Sequence, residues 1–314
     1  MWHKLMRVGM TAAVAAAFGA MEASAIDVLL LTKSSGFEHS AITRDNDEPS
    51  LVERVAAELA EQHEDVSVTA TKDASLINAD NLANYDVVVF YTSGNLLEEG
   101  SDGHPPMTEE GKEAFLEWIE DGGGFIGIHS ATDTFRGGDP DPYIEMVGGE
   151  FITHGPQFEG TVHVTDADHP AMEAIPTEWD VWDEWYIHTH LNRDNIRVLA
   201  VMEAPEDIQE DHSDYEQEVP IMWCRSYGDG RVFYNAMGHA HDLWEGETFQ
   251  QQLVDTVTWA AGEGPLHAEP NFREVQKTAD ELWRVLAPGG RIIIEEPNIK
   301  RRVVKLVALG EKLA

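Results

Sequence analysis

His39, His129 and His239 follow three separate apolar runs, and each has a glycine close by: Gly36, Gly127 and Gly238. An imidazole changes charge near neutral pH and ligates metals, so it can act as base, acid or ligand. One such histidine would ordinarily be a structural hydrogen-bonding residue. Three in equivalent positions, beside glycines that let the backbone turn sharply toward a ligand, point to a chemical site. A fourth group lies in Trp182-Asp183-Glu184-Trp185-Tyr186, a carboxylate between aromatic side chains. An apolar wall raises a carboxyl's pKa toward the range useful in proton transfer. Tryptophan faces also suit the C–H faces of sugar rings; the structural alternative is a capping or solvated acid in an irregular loop. His129, Glu184, His39 and His239 are therefore the candidate catalytic residues. Ser130 and Asp133, beside His129, and Trp185 and Tyr186, beside Glu184, are the candidate substrate-binding residues.

Two chemistries fit this set. In the first, His129 or Glu184 takes a proton from a carbon next to a carbonyl, with His39 and His239 as electrophilic partners. In the second, His39, His129 and His239 hold a divalent metal that polarises a carbonyl or activates water. No HExxH or similar close-spaced signature accompanies them. The single cysteine, Cys224, lies in the apolar run Pro220-Ile221-Met222-Trp223-Cys224, which suits a buried inert thiol and not a nucleophile.

The elements that must position these residues are legible as alternating strands and helices. Asp27–Thr32, Asp65–Thr71, Tyr85–Tyr91 and Phe125–His129 read as strands, apolar on both faces where they are central. Between them, residues 49–62 and the segment opening at Thr108 read as amphipathic helices, the second ended by Gly122-Gly123-Gly124. Gly160–Val164, Arg197–Met202, Ile221–Ser226 and Arg231–Asn235 read as later strands. Gly228-Asp229-Gly230 forms a hairpin turn between the last two, and 249–261 reads as a closing helix. This order predicts an α/β domain with three layers, a mostly parallel central sheet with helices on both faces. Ligands of such sheets bind beyond the carboxyl ends of the strands, where the three histidines fall.

The chain has 314 residues, 42% hydrophobic, enough for a sizeable core. Its net charge of -37 repels phosphate backbones and anionic lipid, so neither nucleic acid nor a membrane surface is an expected partner. Residues 1–25 join Lys4 and Arg7 to an alanine-rich apolar run ending in Ala23-Ser24-Ala25. That is the pattern of a secretory leader cleaved after Ala25, with no membrane span left and a periplasmic or secreted product. Residues 26–264 carry 10 Lys+Arg and 50 Asp+Glu, a balance of -40; residues 265–314 carry 9 and 7, a balance of +2. The shift marks a domain ending at Gly264, expected to fold without residues 265–314. Within that tail, residues 280–296 resemble one late helix–strand unit of class I S-adenosylmethionine-dependent methyltransferases. The cofactor-approaching glycine-rich loop of that family is missing, so the tail reads as a truncated, non-functional fragment.

Five motifs in order, over about Ile26 to Gly262, resemble the ThuA (trehalose-utilisation) family. They are residues 31–42 around Gly36-Phe37-Glu38-His39, residues 122–133 around Gly127-Ile128-His129-Ser130, Asp168-His169-Pro170, Asp183-Glu184-Trp185-Tyr186, and residues 220–224 followed by Gly238-His239. Glu38 departs from the basic residue many relatives carry, which speaks against an anion-binding role there. The resemblance implies a flavodoxin-like, class I glutamine amidotransferase-like fold. His129 stands where an amidotransferase presents its cysteine, so glutamine hydrolysis is not expected. It also implies a small carbohydrate ligand, trehalose, another disaccharide or a 3-keto-glycoside. The expected activity is that of a sugar isomerase, lyase or hydrolase; the alternative is a non-catalytic carbohydrate-binding or scaffold module. Convergence of the three histidines and Glu184 on one cavity separates the two.

Overall fold

The computed structural model describes residues 25–271 except Asp47 and Glu216. Its strands are β1 (Ile26–Leu31), β2 (Val66–Thr71), β3 (Val87–Phe90), β4 (Gly124–Ile128), β5 (Glu150–His154), β6 (Phe158–Val164), β7 (Glu178–Asp183), β8 (Tyr186–Thr189), β9 (Arg197–Glu203), β10 (Val219–Tyr227) and β11 (Gly230–Asn235). The α-helices are α1 (Leu51–Gln62), α2 (Ala79–Leu82), α3 (Glu109–Glu120), α4 (Pro142–Val147), α5 (Glu206–Asp211), α6 (His241–Trp244) and α7 (Glu247–Ala260).

Nine strands form one sheet in the order β2-β1-β3-β4-β11-β10-β9-β6-β7. The first five are parallel, in the order of a doubly wound flavodoxin-like sheet, with β11 in the fifth place. Each of the next four pairs antiparallel with its neighbour. Two successive reversals restore direction, so β9 and β7 point with the first five and only β6 and β10 run against them. The sheet is therefore mostly parallel in direction although half of it is built from antiparallel pairs.

The three layers follow from strand alternation. Val89 and Ile126 face the apolar side chains of α1 and α7, among them Val52, Leu59, Leu253 and Val257. Their neighbours Phe90 and Phe125 point to the other face, where Phe90 stacks on Phe115 of α3 at 4.9 Å and Phe125 meets Tyr143 of α4 at 5.9 Å. The helix ends carry the expected signals. Ser50 and Glu53 form a reciprocal capping box on α1, and Thr108 Oγ1 accepts the Gly111 N–H on α3. The Gly228-Asp229 turn joins β10 to β11, with Gly228 at φ 59°.

Three strands were not expected from sequence. β5 and β8 pair only with each other, in a separate two-stranded ribbon whose β5 is largely exposed, so no alternation marks it. β7 is an edge strand carrying Glu178 and Asp180. The segment expected as an irregular loop around Glu184 is thus the junction of β7 and β8. Contacts of the described residues also continue past Gly264. Residues 265–271, assigned by charge to the tail, pack on the domain: Arg197 reaches Glu269 O and His267 Nε2 at 3.0 and 2.8 Å, and the Asn271 amide pairs with Val198 N and O at 2.7 and 2.9 Å. The expected leader and the methyltransferase-like segment lie outside the described residues. Among the described residues no helix is long and apolar enough to cross a membrane.

Candidate functional site

β1, β4 and β11 are central strands whose carboxyl ends face the same edge, and each hands the chain to a histidine. His39 follows β1, His129 directly follows β4, and His239 follows β11. Their rings form a near-equilateral triangle, with centroids 4.8, 5.4 and 5.4 Å apart. His129 occupies the strand-to-helix elbow at φ 46°, an uncommon left-handed conformation for a non-glycine residue, and is wholly buried. Gly238 takes φ 129°; its N–H meets Asp183, and its carbonyl accepts from Tyr91 Oη and Trp244 Nε1.

Glu184 arrives from the far edge. β7 is four strands from β11, about 19 Å away on a flat sheet. Yet Asp183 Oδ2 accepts the Gly238 N–H at 2.7 Å, and Asp183 Oδ1 accepts Ala240 N–H and Glu184 N–H, both at 2.9 Å. The antiparallel half of the sheet must therefore curl over the ends of the parallel half. This brings Glu184 Oε1 to 3.3 Å from His239 Nδ1 and 3.6 Å from His129 Nε2, and Oε2 to 3.2 Å from His154 Nδ1. Donor atoms of His39, His129, His239 and Glu184 all lie within 4.8 Å of one another, close enough to serve one cation.

The outer nitrogen of each imidazole is engaged. His129 Nδ1 is 2.8 Å from Ala236 O, His39 Nε2 is 3.3 Å from Tyr186 Oη, and His239 Nε2 is 2.8 Å from the Gln157 amide. The inner nitrogens, His39 Nδ1, His129 Nε2 and His239 Nδ1, are buried and complete no hydrogen bond. Burial, then the neighbouring charges of His129 and His239, pushes His39 down to about 2. Burial alone would raise the Glu184 carboxyl, but the imidazoles of His129 and His239 outweigh it and hold it below the usual range. The same Glu184 carboxylate raises His239. The sequence reading expected apolar walls to lift Glu184; the histidines reverse that sign.

The expected catalytic set therefore converges, whereas the expected substrate-binding set divides. Tyr186 lines the cluster, its ring 4.2 Å from His129. Trp185 does not: it is fully buried and donates Nε1–H to Phe158 O, leaving no face for a sugar. Ser130 is buried with its Oγ unpartnered, and Asp133 lies 2.6 Å from Arg136. Glu38 pairs with the buried Lys72 at 2.8 Å. His169, in the family-like Asp-His-Pro motif, caps a short 3-10 turn and lies 3.4 Å from the buried Cys224. Sequence reasoning missed Asp183 as the clamp, and His154 and Gln157 as partners of Glu184 and His239. His154 precedes Gly155-Pro156 on the unrecognised β5; recognising that strand would have been the signal.

A family model described as ThuA, trehalose utilisation, matches residues 27–260. Among solved structures, the chain is similar to a ThuA-like protein from Parabacteroides merdae, at 20% identity over 76% of this chain and 91% of that one, with a TM-score of 0.57. It is also similar to a ThuA-like protein from Bacteroides uniformis, at 18% identity over 82% and 99%, with a TM-score of 0.58. Comparison with curated protein sequences finds no match. The family match spans most of the chain and includes every strand that delivers a cluster residue, so the chain belongs to the ThuA, trehalose-utilisation, family.

Proposed function

We propose that the chain is an exported enzyme of carbohydrate breakdown that acts at the histidine–glutamate cluster on a disaccharide or an oxidised, 3-keto glycoside. Family membership supports the carbohydrate role. The observation that carries the enzymatic reading is the convergence of His39, His129, His239 and Glu184 from four chain segments, with three buried imidazole nitrogens left without hydrogen bonds. Each unsatisfied buried polar group costs about 1–3 kcal/mol. A purely structural core would fill the same space with apolar or fully paired side chains, so the arrangement is maintained for chemistry.

The geometry suits proton transfer next to a carbonyl. A ketone acidifies its neighbouring C–H, and the ionised Glu184 carboxylate can accept that proton. Its Oε2 turns toward His154, whose half-exposed ring connects the cluster to solvent. Ala236 O accepts only, so His129 Nδ1 carries a hydrogen and Nε2 is the atom that faces the cluster. A developing enolate oxygen is met either by His239, raised by Glu184, as a donor, or by a cation held on the same residues. The strongly acidic surface and the leader-like residues 1–25 support a soluble exported enzyme with a small carbohydrate partner, not nucleic acid or membrane.

The test incubates the purified protein with trehalose, other disaccharides and their 3-keto derivatives in D2O, reading products and deuterium incorporation by NMR. Deuterium at the carbon beside the ketone, lost in Glu184→Gln, is the expected result. Binding of a sugar with no turnover across the panel, and equal binding by Glu184→Gln, would favour the carbohydrate-binding module instead.

A further inference from the structure

We propose that the cluster is a site for one divalent transition-metal ion, held by His39 Nδ1, His129 Nε2, His239 Nδ1 and a Glu184 carboxylate oxygen. The inference rests on the cluster being the functional centre, and it does not depend on which sugar is used.

Lone-pair direction is the first argument. His129 Nδ1 donates to a carbonyl, so its Nε2 is an acceptor aimed at Glu184 Oε1, another acceptor, 3.6 Å away. His39 Nε2 is met by Tyr186 Oη and His239 Nε2 by the Gln157 amide, which must present its oxygen for His239 Nδ1 to offer a lone pair; the inner nitrogens of both rings complete no hydrogen bond. A lone pair facing a carboxylate oxygen repels it unless a proton or a metal cation lies between them, and three imidazoles and a carboxylate gathered within 4.8 Å can share one metal cation. All three inner nitrogens are buried and complete no hydrogen bond within the protein.

Distance is the second argument. Ligand atoms about 2.0–2.1 Å from a tetrahedral ion lie about 3.3–3.4 Å from each other. The Glu184 Oε1 separations of 3.3 Å to His239 and 3.6 Å to His129 match two edges of that tetrahedron. The nearly perpendicular ring pairs, at 76–88°, let three imidazoles approach one point without stacking.

The surroundings complete the pattern. Metal-ligating histidines characteristically engage their other nitrogen with a carbonyl, hydroxyl or amide, and ligating carboxylates are themselves held. Here Ala236 O accepts from His129, Tyr186 Oη stands in the same place for His39, and His154 lies on Oε2. Three imidazoles and one carboxylate are a donor set for zinc, manganese, iron or cobalt; magnesium and calcium prefer oxygen. Such an ion would supply Lewis acidity toward a sugar carbonyl or hydroxyl by taking it as a fifth ligand, with Glu184 bound through Oε1 and keeping Oε2 as proton acceptor. Among the described residues the other group with suitable donors is His163, Glu203 and Glu218, where His163 is already 2.9 Å from Glu203.

The full chain, stripped with chelator and dialysed, is titrated with Zn2+, Mn2+ and Co2+ by calorimetry, and the Co2+ form is read by visible absorption. The expected result is one equivalent per chain, a Co2+ band of tetrahedral or five-coordinate intensity, and a raised melting temperature. Glu184→Gln and His239→Ala should weaken binding at least a hundredfold while keeping the far-ultraviolet circular dichroism of the parent, and His163→Ala should bind as the parent does. No stoichiometric binding by the parent, unchanged binding in Glu184→Gln, or loss of binding in His163→Ala would overturn the assignment. Sugar turnover without metal binding would remove the metal alone; metal binding without sugar turnover would remove the substrate reading alone.

Discussion

Replacing Asp183 by asparagine tests how the cluster is held together, because Asp183 is a positioning residue that fixes two of its arms. Its carboxylate is wholly buried and takes three backbone N–H groups: Glu184 and Ala240 on Oδ1, Gly238 on Oδ2. Glu184 is its chain neighbour, and Gly238 and Ala240 bracket His239. An asparagine that keeps its oxygen at the Oδ1 position retains two of these bonds without charge assistance. Its amide nitrogen then faces the Gly238 N–H, donor against donor. One orphaned buried N–H costs about 1–3 kcal/mol, and two weakened bonds add about 1 kcal/mol. Burial raises the Asp183 carboxyl, so relieving a desolvated charge offsets part of that loss. The net expectation is a loss of about 2–3 kcal/mol, or about 4–12 °C in melting temperature for a domain of this size. His239 and Glu184 should loosen together, lowering divalent-cation affinity roughly 10- to 100-fold. Calorimetric melting and cation titration of Asp183→Asn check both numbers. A melting temperature within about 1 °C of the parent, with unchanged cation affinity, would refute the clamp.

Three further outcomes are expected. His129→Ala should abolish turnover while costing about 1–3 kcal/mol, since it orphans the buried Ala236 carbonyl; a variant that melts early yet keeps full specific activity would make His129 structural. Acid should destabilise the fold through His188 and His169, which burial holds near pKa 3 and 4. Both are neutral when folded and take up a proton on unfolding, so their contribution is fully present above about pH 6.5 and lost progressively as pH falls from there toward those values. The difference is about 2 kcal/mol each at pH 5, visible in denaturant melts at pH 8 and pH 5, and a flat profile contradicts it. Ending the chain after Asn271 should leave the melting temperature within about 2 °C, whereas ending it after Gly264 should lower it by about 5–15 °C. The second cut removes the Asn271 pairing with Val198, the Arg197 contacts to His267 and Glu269 and the Leu266 carbonyl that accepts from Trp259; equal melting of the two would show that the fold ends at Gly264.

The sequence by itself determined the parallel half of the molecule and three of the four cluster residues' places in it. Continuous apolar runs such as Val28–Leu31 and Val87–Phe90 are buried on both faces, which only a central strand between helices allows, and β11 continues the same layer. Once those strands are parallel, His39, His129 and His239 must emerge at one edge, because each directly follows or closely trails a strand end. Tertiary structure alone decided what Glu184 does. Its strand is an edge strand four places from β11, and only the curl of the antiparallel half, locked by Asp183 on the Gly238 and Ala240 amides, carries it across to the histidines. Tertiary structure also separated Trp185 from Tyr186, neighbours with the same aromatic signal. The connection between β7 and β8 sends Trp185 into the core against Phe158 and starts β8 with Tyr186 against His129. Local periodicity records which side chains are apolar, but sheet curvature is the sum of many small strand twists and edge contacts between distant segments, so no local pattern records where a far edge will close.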